Sequence, residues 1–297
     1  MTASKTTFFL LLIFIISLLG AVSRADTGLK PLLLPEMSWV DVKGYLETCD
    51  MVIIPLGATE QHGPHLPLGT DYYEAMGICK KISEKTGVVV APVLWTGYSV
   101  YHSGFPGTLS LKPETMEQIL FETAEMLMKY GFKRFMFFNY HGGNNIVQSK
   151  IIHRINHTTP AMALAIGHGS DLQKEADDEE DFFDWHAGKG ETSIMLYLRP
   201  DLVRMDRAQK PDIRFTQQMR NLQEAAKNNP ELWHVWNLLF GVPVEAKKGG
   251  ASNELSSNGV WSFNSPKEAT REIGKKSVDA MVEKAVKLIK AWKEVKK

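Results

Sequence analysis

Gly57-Ala58-Thr59-Glu60-Gln61-His62-Gly63-Pro64-His65-Leu66-Pro67-Leu68-Gly69-Thr70-Asp71 follows the apolar run Met51-Val52-Ile53-Ile54-Pro55-Leu56. The apolar run reads as a short buried strand. A strand that empties into a loop holding Glu, His and Asp sets ligand-type side chains at its C-terminal end. That is where open α/β sheets bind ligands. Glu60 and His62 are two apart, so in an extended segment both side chains point the same way. Pro64, Pro67 and Gly69 can turn the chain back and bring Asp71 toward them. Two carboxylates and an imidazole suit zinc, manganese or iron.

Outward from this loop the chain alternates strand, loop and helix. Asp71 to Lys85 has helical apolar spacing, closed by Gly87. Val88 to Leu94 reads as a second strand, followed by a Gly- and aromatic-rich loop containing His102. A short strand is expected at Thr108–Leu111, then a helix from Pro113 to about Gly131. Lys133 to Asn139 is a third strand. It ends in Tyr140-His141-Gly142-Gly143-Asn144, where two glycines allow a ligand to approach the backbone. A helix to about His157 and a strand over Ala161–Ile166 follow. Upstream, Ser38 and Asp41 spell a capping box for a helix beginning near Trp39. This alternation predicts an α/β fold with a mainly parallel sheet covered on both faces.

The acidic run 171–184 reads as a solvated loop. It leads into Asp184-Trp185-His186-Ala187-Gly188-Lys189-Gly190-Glu191 and an apolar helix with Glu191 in its first turn. Leu232 to Phe240 is apolar and reads first as core, with a lid over the pocket or a subunit contact as the alternatives. Ser265-Pro266-Lys267-Glu268 has the pattern of a helix start, and the final helix runs to about Val295. Three strand ends or helix starts thus supply Glu60, His62, Asp71, His141, His186 and Glu191 to one edge of the sheet, and this convergence predicts a metal site.

The 297 residues are 44% apolar and 23% charged, with formal net charge zero. That is ordinary for a globular protein, and no basic stripe points to nucleic acid. Met1 to Ala25 has a lysine at position 5, an apolar stretch from Phe8 to Val22, and Ser23-Arg24-Ala25 with small residues at −3 and −1. This is a secretory signal pattern, too short for a comfortable membrane span. Residues 1–25 are therefore expected to be removed. The protein is then exported, periplasmic or secreted, with no stable membrane insertion, and residues 26–297 form one domain. Removal deletes Lys5 and Arg24 and no acid, leaving 32 basic against 34 acidic residues. Export permits a disulfide, but two cysteines, Cys49 and Cys79, do not settle whether they pair.

Four segments resemble the creatininase family: Gly57 to Asp71, His102 to Thr108 (H-S-G-F-P-G-T), Asn139 to Asn144 (N-Y-H-G-G-N) and His186 to Ser193 (H-A-G-K-G-E-T-S). They span most of residues 50–200 in the family's order. The resemblance implies a three-layer α/β/α metal-dependent hydrolase, often hexameric, acting on small cyclic amides or formamides. It implies one or two divalent ions, Zn2+, Mn2+ or Fe2+. It carries over Glu60, His62, Asp71 and His141 as ligands, Asp71 as the bridge, and His186 as the catalytic proton carrier. Creatininase itself has His-x-Glu where this chain has His141-Gly142-Gly143. Glu191 is therefore expected to complete the second site, and creatinine is disfavoured as substrate. His102, Trp185 and Tyr140 are the expected substrate contacts, and His65 is expected to support the metal loop.

The chemistry is coherent from the residues alone. A divalent ion makes water acidic enough to ionise near neutral pH and stabilises a developing oxyanion. An imidazole can then protonate the leaving group. Two other readings stay open: C–C hydrolysis of a cyclic diketone such as an oxidised inositol, and a non-catalytic envelope protein that binds metal or solute.

Overall fold

Met51–Leu56 forms strand β1, and all six of its side chains are buried. In this computed structural model, residues 30–167, 184–239 and 251–295 are described. The signal segment, nearly all of the acidic run, Phe240 and Gly249-Gly250 lie outside the described residues. β1 is flanked in parallel by β2 (Val89–Val90) and β3 (Arg134–Asn139), and β3 by β4 (Met162–Ala165), giving the order β2-β1-β3-β4. Parallel strands need crossovers, and helices supply them.

Alternation of side chains along β1 and β3 divides the core into two layers. Met51, Ile53, Met136 and Phe138 face one side. There they pack on α2 (Thr70–Thr86), α5 (Lys189–Leu198) and α9 (Arg271–Glu294) through Ile78, Ile82, Ile194, Val278 and Ile289. Val52, Ile54, Leu56, Phe135 and Phe137 face the other. There they pack on α3 (Pro113–Tyr130) and α4 (Asn145–Thr158). The architecture is the expected α/β/α sandwich. The first helix, α1 (Trp39–Thr48), opens with the expected capping box: Ser38 Oγ accepts from the Asp41 N–H, and the Asp41 carboxylate accepts from the Ser38 N–H.

Several local expectations change. The second strand shrinks to Val89–Val90, because Pro92 lacks the N–H a ladder needs; Leu94 then makes one isolated bridge to Leu56. Thr108–Leu111 is no strand. It makes a single antiparallel bridge, Leu109 to Thr59, because the left-handed turn at Gly107 and the helix starting at Pro113 leave it no length. Ser265 caps only a short 3-10 turn, Pro266–Glu268. Ala269 is extended, so α9 begins anew at Arg271 with Thr270 Oγ1 accepting from the Ile273 N–H.

A second sheet was not expected. β5 (Asp184–His186) pairs antiparallel with β6 (Trp261–Ser262). Between them in the chain come α6 (Gln217–Ala226), α7 (Leu232–Asn237) and α8 (Ser252–Leu255). Trp236 of α7 is buried with Met219, Leu255 and Trp261 in a satellite cluster, while Val235 and Leu238 are exposed, so the stretch is core on one side only. Cys49 and Cys79 are both buried free thiols.

Candidate metal centre

The loop after β1 lies directly on the start of α2. A Cβ at Gly57 would sit 2.8 Å from Tyr72 Cα, so only glycine lets the strand end approach the helix start this closely. The Glu60 N–H donates to the Leu68 carbonyl at 2.8 Å and closes the loop. Glu60 and Asp71 are thereby brought together, both about 1% exposed. The end of β3 delivers His141. β5 delivers His186, and the first turn of α5 delivers Glu191. Backbone packing fixes α5: a Cβ at Gly274 of α9 would collide with the Ser193 carbonyl.

Three histidines share one arrangement. His62 Nδ1 lies 3.1 Å from the Glu60 carbonyl, His141 Nε2 3.0 Å from the Tyr98 carbonyl, and His186 Nε2 2.5 Å from the Gln61 carbonyl. A carbonyl only accepts, so each of those ring nitrogens carries the proton. The other nitrogen then presents a lone pair, and in each case it faces carboxylate oxygen. His62 Nε2 is 3.2 Å from Asp71 Oδ1 and 3.8 Å from Glu191 Oε2. His141 Nδ1 is 3.3 Å from both Glu60 Oε1 and Asp71 Oδ2. His186 Nδ1 is 3.6 Å from Glu60 Oε1. Acceptor facing acceptor requires a positive charge between them, either a proton or a metal ion. Ring nitrogens anchored to carbonyls are the usual support of metal-binding histidines.

Without an ion, protons take up that role. Burial alone would lower His62, but the Asp71, Glu191 and Glu60 carboxylates outweigh it and raise the imidazole to about 10. His141 is likewise raised against burial, by Glu60, Tyr101 and Asp71. Asp71 is held well below the usual carboxylate range, because His62 and His141 outweigh its desolvation. Burial lifts Glu191 to about 8, with Asp71 adding to it and His62 opposing.

The donor set fits a divalent cation. Glu60 Oε2, Asp71 Oδ2 and both Glu74 carboxylate oxygens are buried without a hydrogen bond. Among the described residues no Lys or Arg is paired with Glu60, Asp71, Glu74 or Glu191. Buried carboxylates without a counter-charge are costly, and a metal ion supplies one. Ligand atoms within 4.8 Å of one another form the groups Glu60–Asp71–His141, His62–His186–Glu191, Glu60–His102–His186 and Asp71–Glu74–Glu191. Mixed imidazole and carboxylate donors suit zinc, manganese or iron.

The other expected residues divide. His102 is buried in the cluster instead of facing solvent. Gln61 Nε2 donates to its Nδ1 at 3.0 Å, since Gln61 Oε1 is already accepting from the Gly63 N–H. His102 Nε2 is therefore protonated and points at Glu60 Oε1, 3.3 Å away, which makes it an orienting donor to Glu60. His65 does support the loop, from 2.8 Å at Thr192 Oγ1. Tyr140, expected at the substrate, is 7% exposed, and its ring packs in the apolar layer with Phe138; burial and then the nearby Glu74, Glu191 and Asp71 carboxylates push its hydroxyl well above the usual tyrosine range. Trp185 is 45% exposed and outside the buried cluster, next to a buried His186.

Two residues went unnoticed in the sequence. Gln61 ties His102, Gly63 and the Gly259 carbonyl together. Glu74 enters the carboxylate group from α2. The Asp71-x-x-Glu74 spacing on a helix was the available signal.

Comparison with known proteins gives the family and the fold. A mycofactocin precursor peptide peptidase of Mycolicibacterium smegmatis is 38% identical over 162 residues, covering 52% of this chain and 61% of that protein. A 3-dehydro-scyllo-inosose hydrolase of Thermotoga maritima is 29% identical, covering 57% of each. The chain thus spans about three fifths of the length of these relatives. A solved creatinine amidohydrolase has the same fold, with TM-score 0.68 and 22% identity over 90% of this chain and 100% of that one. Similar solved creatininases include a two-zinc form and a manganese form. The family model described as creatinine amidohydrolase matches residues 35–289, and the chain belongs to the creatininase family.

Proposed function

We propose that this chain is a metal-dependent hydrolase that opens the C–N bond of a small amide, cyclic amide or formamide. The observation that carries the reading is the set of three anchored histidines whose free nitrogens face buried carboxylates. Glu60, Asp71 and His141 would hold one ion; His62, Asp71 and Glu191 would hold a second, with Asp71 shared. A divalent ion bound there would make water a nucleophile near neutral pH and polarise the substrate carbonyl.

The chain's own groups do the rest. His186 is stacked between His62 and His102, with ring centroids 4.2 Å from each. Burial, and in the metal-free site the His62 cation, hold it well below the usual histidine range. Its Nε2–H is committed to the Gln61 carbonyl. Nδ1 is therefore the atom that would take a proton and return it to the departing nitrogen. His102 orients Glu60 from behind.

Removal of residues 1–25, export and assembly into a homo-oligomer belong to the same proposal. No described helix is long and apolar enough to cross a membrane.

Mass spectrometry of products tests the chemistry. The chain from Asp26, stripped with chelator and reloaded with zinc or manganese, is offered cyclic amides, formamides, short peptides and cyclic diketones. Metal-dependent gain of water with a freed amine, or release of formate, is expected. The likeness to an inosose hydrolase favours one second reading. Water gain only on the diketones, with C–C cleavage, would replace the first by that one.

A further inference from the structure

Glu74 is fully buried in the second turn of α2, one helical step from Asp71 and on the same face. Neither of its carboxylate oxygens has a hydrogen-bond partner. A carboxylate oxygen of Glu74 lies within 4.8 Å of ligand-type oxygens on both Asp71 and Glu191. Glu191 is in turn 3.8 Å from His62 Nε2. Three carboxylates thus converge from α2 and α5, with ring nitrogens of His62 and His186 beside Glu191.

The opposite wall adds nothing to this position. The segment after β3 contributes His141 alone, because Gly143 is packed so tightly that a side chain is excluded. A Cβ at position 143 would collide with the Tyr98 carbonyl and lie 2.6 Å from His141 Nε2. The second position therefore draws its carboxylates from α2 and α5, and Glu74 is the one there with neither oxygen hydrogen-bonded.

We propose that Glu74 is a ligand of the second cation position, completing a set with His62, Asp71 and Glu191. This rests on the metal-dependent reading above. One imidazole and three carboxylates form a harder, more anionic set than Glu60–Asp71–His141, so this position favours manganese over zinc relative to the first.

Calorimetric titration of the stripped chain with Mn2+, with bound metal counted by mass spectrometry, tests it. Wild type is expected to take two ions per chain. Glu74→Gln is expected to keep the first and weaken the second by about tenfold or more, at least the loss typical for a residue that only supports a metal ligand. Thermal melts give a second readout that survives a folding defect. In the stripped protein Glu74→Gln removes an unpaired buried carboxylate and is expected to raise the midpoint. On manganese loading the variant gains less than wild type, because the stabilisation from binding grows with the logarithm of affinity. An unchanged second ion, or an equal gain on loading, would overturn the role of Glu74 while leaving the metal reading intact. Wild type that binds no ion would overturn both.

Discussion

Asp71→Asn is expected to strip the site of metal and to cut turnover by at least about 10³-fold, roughly 4 kcal/mol of transition-state stabilisation. Asp71 Oδ1 faces His62 and Oδ2 faces His141, at 3.2 and 3.3 Å. It also belongs to both the Glu60–Asp71–His141 and the Asp71–Glu74–Glu191 groups. Among the described carboxylates, Asp71 is the one that belongs both to a group with Glu60 and His141 and to one with Glu74 and Glu191. An amide keeps the shape but halves the oxygen donors and removes the charge that balances two imidazoles. Metal content and turnover of the best substrate check it together. Full metal content with near wild-type turnover would show that the two halves of the cluster do not share Asp71.

His186→Ala is expected to lower kcat by about 10²–10⁴-fold, the range for a positioned acid–base group, with both ions retained and KM little changed. The ring has a fixed tautomer, because the Gln61 carbonyl can only accept. It sits among the His62 and His102 rings and is 6% exposed. Loss of an ion in the variant would instead make Nδ1 a ligand, which its 3.6 Å approach to Glu60 makes the competing role. Retention of full turnover would leave it a structural histidine.

What the sequence made legible follows from what local patterns can encode. The apolar runs at Met51–Leu56 and Arg134–Asn139 were readable as buried parallel strands, because both faces of such strands are covered and no polar alternation interrupts them. Strand ends then located Glu60, His62 and His141, and the helix pattern located Asp71 and Glu191. Burial through tertiary contact was harder to see. Tyr140 follows a strand, where a loop aromatic and a core aromatic look alike in one dimension. The β5–β6 pairing joins residues some 75 apart, and a three-residue strand carries too little pattern to announce itself. Glu74 looked like any polar residue of an amphipathic helix. Its meaning depends on α5 being pressed onto α2 and α9, which rests on Gly274 and is not encoded near Glu74.

The proposed export rests on the Met1 to Ala25 pattern, and its direct check is N-terminal sequencing of protein recovered outside the cytoplasm. The metal centre is the more consequential claim. Its most direct test is anomalous diffraction at the manganese edge from crystals of the chain loaded with Mn2+. The expected map has a peak enclosed by Glu60, Asp71 and His141 and a second beside His62 and Glu191, both within ligand distance of Asp71. A map with no anomalous density in this cluster, or with manganese held only elsewhere on the chain, would contradict it.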